Sequence, residues 1–465
     1  MLFIVLIATS LKLIAMHTEL LEKYNIPAPR YTSYPTVPYW NEACPPESEW
    51  KERVLNAFQR GREISLYIHL PYCESLCTYC GCNKRITKNH SVESPYIDSV
   101  LKEWELYLDL LPQKPILREL HLGGGTPTFF SPDNLRKLIE GILSKVELPE
   151  EYEFGFEAHP ASTSMEHLKM LRRLGFRRIS IGVQDFAPEI LEIINRKQDF
   201  EEVHRVTRQA RRLGYASINY DLIFGLPLQT KQHIRETIRK VKMLLPERIA
   251  FYSYAHVPWI KPAQRAYSEA DLPIGKAKRE LYELGRKLLS EAGYTEIGMD
   301  HFALPSDSLY KAMETGSLHR NFMGYTPYFT ELAIALGASS ISDCWDAFVQ
   351  NEKSIEAYQA LVEQGKFPFV KGHLLTREDE VLRGHILNIM CRNETIWYLP
   401  GFQCDALDEG LERLEPLEAD GLVRRYPFQL KVTPKGRPFI RNICLALDAR
   451  YWRKQPEGQL FSQVV

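Results

Sequence analysis

Apolar residues in this 465-residue chain gather in short runs separated by longer amphipathic stretches. The run at 65–69 (Ser-Leu-Tyr-Ile-His), closed by Pro71, predicts a buried strand. A helical pattern follows over 94–111. Strand and helix then alternate, with strands predicted at 118–122, 152–157, 177–183, 217–223, 248–254 and 295–299 and helical patterns between them. A repeat of roughly 30–40 residues suits βαβ units and a parallel sheet rather than a solenoid. Gly and Pro cluster where the predicted strands end: Gly123 to Pro127, Pro160, Gly225 to Pro227 and Pro258. In a parallel β/α barrel the chemistry sits on the loops that follow the strands.

The texture changes on either side of this alternation. Residues 20–36 read as an extended arm pinned by Pro27, Pro29 and Pro35. Thr376-Arg377-Glu378-Asp379 reads as a helix start. The stretch 414–447 reads as helix, turn, strand, turn, helix. That order suits a winged helix or a small accessory domain packed over the active site, and the lack of basic excess favours the latter. The first fifteen residues, MLFIVLIATSLKLIA, are apolar but too short to span a bilayer comfortably. They lack the basic flank and cleavage site of a secretory signal. The expectation is an upstream start codon with Met16 the true beginning; a membrane anchor is the alternative.

Composition narrows the class. Hydrophobic residues make up 45% and charged residues 25%, as in ordinary globular proteins. Net charge is −1, so no global field draws the chain to nucleic acid or anionic membrane. The basic run Arg172-Arg173 to Arg177-Arg178 reads as a solvated helix end and the start of the next strand.

Cysteine decides the chemistry. Cys73, Cys77, Cys80 and Cys82 fall on one loop, whereas Cys44, Cys344, Cys391, Cys404 and Cys444 are scattered. That distribution argues against a disulfide framework, and C-x3-C-x2-C differs from the paired C-x2-C of zinc sites. Three thiolates on a short loop can hold three corners of a four-iron cluster and leave the fourth iron open. Free thiols and such a cluster point to a reducing cytoplasm.

The spacing resembles the signature of the radical S-adenosylmethionine (SAM) enzymes. Further motifs narrow the likeness: Arg30-Tyr31-Thr32-Ser33-Tyr34-Pro35-Thr36, Gly123-Gly124-Gly125-Thr126-Pro127-Thr128, Gly182-Val183-Gln184-Asp185-Phe186 and Asp221-Leu222-Ile223-Phe224-Gly225-Leu226-Pro227. Gly298-Met299-Asp300-His301-Phe302, His319-Arg320-Asn321-Phe322 and Arg441-Asn442-Ile443-Cys444 complete the set. In this order they are similar to the oxygen-independent coproporphyrinogen III oxidases, from about residue 20 onward. The resemblance implies an α/β fold. Its core would be an incomplete (β/α)6 barrel over 60–375, with closing segments after about residue 300. An N-terminal arm over 16–59 would precede it and a mainly helical accessory domain over 376–465 would follow.

The resemblance also implies roles. Cys73, Cys77 and Cys80 would ligate a [4Fe-4S] cluster. Tyr67, Gly124, Glu157 and Ile341 would sit by a SAM bound to it, together with Gln184, Arg196 and Asp221. Gly125, Thr126, Tyr79 and Ala255 would face a second SAM, which some members hold. Arg30, His319 and Arg320 are the candidates for the substrate carboxylates, because paired carboxylate recognition favours arginine. The implied reaction turns two propionates of coproporphyrinogen III into vinyl groups, with flavodoxin or ferredoxin as low-potential electron donor. The implied protein is a cytoplasmic monomer with no nucleic-acid or membrane partner. The rival is a haem chaperone on the same scaffold; those relatives are shorter, lack the arm and carry an aromatic residue where Cys82 stands.

Overall fold

The computed structural model describes residues 19–464, with Glu42, Glu457 and Gln459 excepted. The expectation about residues 1–15 lies outside the described residues. Strand β1 (Glu63–Leu70) leads into a small parallel pair, β2 (Tyr72–Cys73) and β3 (Arg85–Ile86). Then come β4 (Ile116–Gly124), β5 (Glu153–Ala158), β6 (Arg178–Gln184), β7 (Ser217–Phe224) and β8 (Arg248–Ser253). Strands β1 and β4 to β8 pair in sequence order, all parallel, and form the centre of one open sheet. The predicted strands are therefore present, and the sheet does not close on itself.

The crossovers are helices whose ends the sequence specifies. The Asp199 side chain accepts the Glu202 N–H, and the Glu202 side chain returns to the Asp199 N–H. This reciprocal cap starts Phe200–Arg212, whose Val203, Val206, Thr207 and Ala210 form one buried stripe. Ser164 caps Met165–Arg173, and Ser131 followed by Pro132 starts Pro132–Leu143.

Within the strands the side chains alternate, as the pleat requires. On β5, β6 and β7 the apolar residues Phe154, Phe156, Ile179, Ile181, Ile218 and Tyr220 enter the main core. Their neighbours Glu157, Arg178, Ser180, Asn219 and Asp221 line a cavity inside the curved sheet. The lumen is polar. Arg178, expected on a solvated basic run, belongs to it: as the first residue of β6 it shares the inward side with Ser180 and meets Glu153 at 3.0 Å. Burial follows strand register rather than local charge.

The segments after residue 290 depart from expectation. β9 (Thr295–Gly298) is not a further parallel strand. It forms a tight hairpin with β10 (His301–Ala303), and a loop that short permits only antiparallel pairing. β10 inserts antiparallel between β8 and β9 at one edge. A hairpin of β11 (His319–Asn321) and β12 (Gly324–Thr326) follows. Next come β13 (Leu332–Leu336), β14 (Ile341–Asp343), β15 (Ala347–Asn351) and β16 (Phe369–Leu374), which mainly extend the sheet instead of closing over it. β13 joins β1 in parallel, and the rest add antiparallel to give twelve strands.

The last segment begins with helix Arg377–Arg392, capped by Thr376 and Asp379 as the sequence predicts. Within 414–447, where one strand was expected, two form: β18 (Val423–Tyr426) and β19 (Gln429–Val432) pair, and β19 also pairs with β17 (Glu394–Ile396) from upstream. Helices Asp405–Arg413 and Ile440–Ala446 pack beside them. The arm is not wholly extended: residues 19–24 are helical. Leu20, Tyr24, Tyr31 and Tyr34 are buried in a second core with Leu309, Tyr325 and the C-terminal helices. Arg441 donates to the carbonyls of Ala28 and Pro29 on the arm and to those of Ser462 and Gln463.

Candidate active site

The cysteine loop is held at its root and its crest. Arg85 N–H donates to Pro71 O (2.8 Å) and Thr87 N–H to Cys73 O (2.9 Å). Thr78 N–H donates to Ile194 O (3.0 Å), and the Asn195 amide to Leu76 O (2.7 Å). Cys80 N–H donates to Cys77 O (3.2 Å), a turn that brings the two thiols to one side. Cys73, Cys77 and Cys80 line a cavity of about 900 Å³ at the C-terminal ends of the strands.

These thiols fit a cluster. All nine cysteines are free. Among the described residues no three His, Cys, Asp or Glu side chains converge closely enough to share one metal ion. A four-iron cluster does not ask for that, since each thiolate binds its own iron. The Cys82 thiol donates to Cys80 and, helped by Lys84, draws the Cys80 thiol down to about 5 against its burial. Burial pushes Cys73 up to about 11, and its sulfur lies 3.3 Å from the Thr126 hydroxyl. Ligation requires thiolate, so Cys80 is ready near neutral pH whereas a metal must displace the Cys73 proton.

The glycine run serves packing more than an open cradle. Gly124 has φ +110°, and a Cβ there would lie 2.5 Å from the His69 ring. A Cβ on Gly125 would lie 2.7 Å from Pro71 backbone, and one on Gly123 2.9 Å from Glu157 Oε1. These glycines let the end of β4 press against the root of the cysteine loop and against β5. The Gly124 N–H donates to Glu157 Oε2 (3.1 Å). Burial alone would raise Glu157, but His121 and this N–H hold it below its ordinary value. Asp221 accepts from Ser180 (3.0 Å) and Asn219 (2.9 Å). Burial, then the nearby Glu157 charge, pushes it up to about 6.

Arg196 is buried yet central: it donates to the Tyr79 hydroxyl (3.2 Å), to Gln198 (2.7 Å) and to the Gly182 carbonyl, and faces the Cys77 sulfur at 3.7 Å. Gln184 sits beside it with φ +68°. The cavity thus gathers the three cysteines with Tyr79, Gly124, Gly125 and Thr126, and with Glu157, Gln184, Arg196 and Asp221.

The other expected residues do not line it. Tyr67 is one layer back, stacked on His121 and bonded to His69 Nδ1 (3.1 Å). The Ala255 carbonyl accepts from Gln264 (3.1 Å), which also reaches Tyr79 O (3.4 Å). Ile341 packs against a small cluster of Trp40, Phe348 and Leu375. Arg30 pairs with Asp300 and lines a separate small cavity. His319 lies edge-on to Phe329, and burial lowers it to about 3. Arg320 is 5% exposed, covers the Tyr325 ring at 4.6 Å and leaves Nη1 without a hydrogen-bond partner. His121, Arg178, Asn219, Tyr252, His301 and Tyr325 also line the main cavity, and the motif reading missed them as site residues. A usable signal was present: polar residues at every second position of apolar strands.

Comparison with known proteins decides the family. The chain is 37% identical to an oxygen-independent coproporphyrinogen III oxidase of Synechocystis sp., over 98% of this chain and 100% of that protein. The chain belongs to the oxygen-independent coproporphyrinogen III oxidase family. The Escherichia coli oxidase of the same name is 37% identical over 96% of this chain and 98% of its own length. A solved E. coli coproporphyrinogen III oxidase, described as a radical SAM enzyme, superimposes with a TM-score of 0.85 at 36% identity, covering 90% of this chain and 97% of that one. The Radical SAM superfamily model matches residues 67–241, the span that holds the cysteine loop and β4 to β7. As a member of this oxidase family the protein is an oxidoreductase of the radical SAM class, whose cofactors are a [4Fe-4S] cluster and SAM. Among the described residues no helix is long and apolar enough to cross a membrane.

Proposed function

We propose that this enzyme decarboxylates the ring A and ring B propionates of coproporphyrinogen III to vinyl groups, giving protoporphyrinogen IX. The observation that carries the reading is one cavity, at the strand ends, holding the three-thiol loop, two carboxylates and a buried arginine. Its volume of about 900 Å³ lies near the upper end of the range for small-molecule sites, in keeping with large ligands. The cluster and SAM, when bound, supply a 5′-deoxyadenosyl radical able to take hydrogen from the propionate β-carbon; loss of CO2 and one electron then leaves the alkene.

The protein's part is to bind and orient. Cys73, Cys77 and Cys80 hold the cluster. Glu157 receives the SAM ammonium, and Asp221, Gln184 and Arg196 hold its remaining polar groups. Tyr67 and Ile341 support that site from behind. Tyr79, Gly125, Thr126 and Ala255 border the position for a second SAM. Among the substrate candidates Arg320 has the strongest physical case, because a buried guanidinium with no carboxylate partner calls for an anion. Arg30 is already neutralised by Asp300, and His319 is held neutral by burial. The enzyme acts as a monomer in a reducing cytoplasm, takes electrons from a flavodoxin or ferredoxin, and uses neither nucleic acid nor membrane.

The test is an anaerobic turnover of the iron- and sulfide-reconstituted chain with SAM, reductant and coproporphyrinogen III, followed by chromatography. Protoporphyrin with two 5′-deoxyadenosines per product is the expected result. A cluster-loaded chain that binds haem and leaves coproporphyrinogen untouched would replace this reading with the chaperone.

A further inference from the structure

Behind Glu157 runs a chain of polar groups that the binding roles above do not use. His121 is 8% exposed inside the sheet, on β4. Its Nε2 faces Glu157 Oε1 at 3.6 Å, and its Nδ1 meets Arg178 Nη2 at 3.3 Å. Arg178 in turn pairs with Glu153 (3.0 Å), which is also bound by Arg248 (3.1 Å). Gly155 makes room for this arrangement, because a Cβ there would lie 2.9 Å from Arg178 Nε.

A guanidinium has donors only. At 3.3 Å from Arg178, Nδ1 of His121 must therefore act as acceptor, and the ring proton sits on Nε2, aimed at Glu157. The other Glu157 oxygen is taken by the Gly124 N–H. Both oxygens then face protein donors, and the carboxylate is fixed against rotation at the cavity wall. Groups this far from a ligand matter because they set the tautomer and orientation of the group that touches it.

We infer that Arg178 is a positioning residue: it locks His121 as the Nε2–H tautomer and thereby orients the Glu157 carboxylate toward the ammonium of SAM. The inference rests on the reading of Glu157 as the group that receives that ammonium. The charged and titratable groups around the ring are Glu157, Glu153 and Arg178, with Tyr67 stacked on its face and His69 beside Tyr67.

The test is SAM affinity, by equilibrium dialysis on the cluster-reconstituted full chain between pH 6 and pH 8. Wild type sets the reference at each pH, including the effect of Asp221, which burial pushes up to about 6. Arg178→Met is expected to bind roughly tenfold more weakly at each pH, because neither the His121 tautomer nor the Glu157 carboxylate is then held in place. Arg178→Lys, which keeps a donor-only head, restores the wild-type affinity. His121→Gln places an amide N–H where Nε2–H was and needs no arginine; adding Arg178→Met to it changes nothing further. If Arg178→Met keeps wild-type affinity, the inference falls. It also falls if the Arg178→Met loss persists in full on the His121→Gln background, since the arginine would then act through the fold. If Glu157→Gln binds SAM as well as wild type, the underlying reading of Glu157 fails instead.

Discussion

Replacing Gly125 by alanine should dislodge the cysteine loop. Gly125 does not adopt a positive φ, so the argument is one of space. The new methyl would arrive 2.7 Å from the Pro71 carbonyl carbon and 2.8 Å from the carbonyl oxygens of Pro71 and Tyr72, all backbone. Carbon contacts settle at about 3.5–4.0 Å, so the ends of β1 and β4 must part by roughly 0.8 Å. Overpacking of this kind costs about 1–3 kcal/mol. The bonds from Gly125 N–H to Leu70 O (2.8 Å) and from Thr126 N–H to Tyr72 O (3.0 Å) lengthen with it. Each is worth about 0.5–1.5 kcal/mol, for a total of about 2–6 kcal/mol. Because Cys73 follows Tyr72 directly, its sulfur moves as well. Urea unfolding of the apo chain and iron per chain after anaerobic reconstitution measure the two effects. Gly81→Ala is the control, since a Cβ there meets nothing within 4 Å. If Gly125→Ala unfolds at the wild-type midpoint and keeps its iron, the packing account of this glycine is wrong.

Three further outcomes are expected. Arg248 and Arg178 outweigh the burial of Glu153 and hold its carboxyl at about 2; Glu153→Gln should cost about 3–5 kcal/mol at pH 7 by leaving Arg178 without a carboxylate, while Arg248 keeps Asp307 (2.6 Å). The folded value lies below the unfolded one of about 4.3, so this stabilisation is complete above that pH and fades as pH falls through about 2; a wild-type-to-mutant gap in urea midpoint that stays constant from pH 7 to pH 3 would contradict it. Arg320→Met should raise the KM for coproporphyrinogen III at least about tenfold with little change in stability, since loss of its long bonds to the Arg30 and Tyr31 carbonyls (3.4 Å each) is offset by removal of a buried charge that has no carboxylate, and unchanged KM would exclude Arg320 from substrate binding. Cys77→Ser should abolish the cluster absorbance while Cys82→Ser keeps it, and iron loss in the latter would mean the ligands are misassigned.

How much was legible depended on the distance over which the information is written. The cysteine loop, the glycine run and the six parallel strands were readable because each is specified within about ten residues by spacing, apolar runs and caps. The strands from β13 to β16 escaped notice because several of their buried positions are polar. Asn351, for example, is buried by donating to Glu103 (2.6 Å) and to the Gly337 carbonyl (2.9 Å), partners that only the fold supplies. Arg178 misled for the same reason: beside Arg177 it reads as a solvated charge, yet strand register turns it toward Glu153 and His121. Arg30 and Arg320 were both read from motifs as carboxylate binders, but their electrostatics differ. Only one of the two has a carboxylate, Asp300, brought near by the β9–β10 hairpin.

The tie between Arg441 and the arm sets a timetable for the molecule's making. The guanidinium and the Ala28 carbonyl it binds are 413 positions apart. At about 5–20 residues per second of synthesis, roughly 20–80 s separate the emergence of the arm from that of its clasp. For that interval the β1-to-β8 sheet can fold while Tyr31 and Tyr34 have no second core to enter. The arm is thus the first part of the described chain to be made and among the last to be seated. The cysteine loop need not wait for that seating, because no described residue of the arm lines the cavity that holds its three thiols.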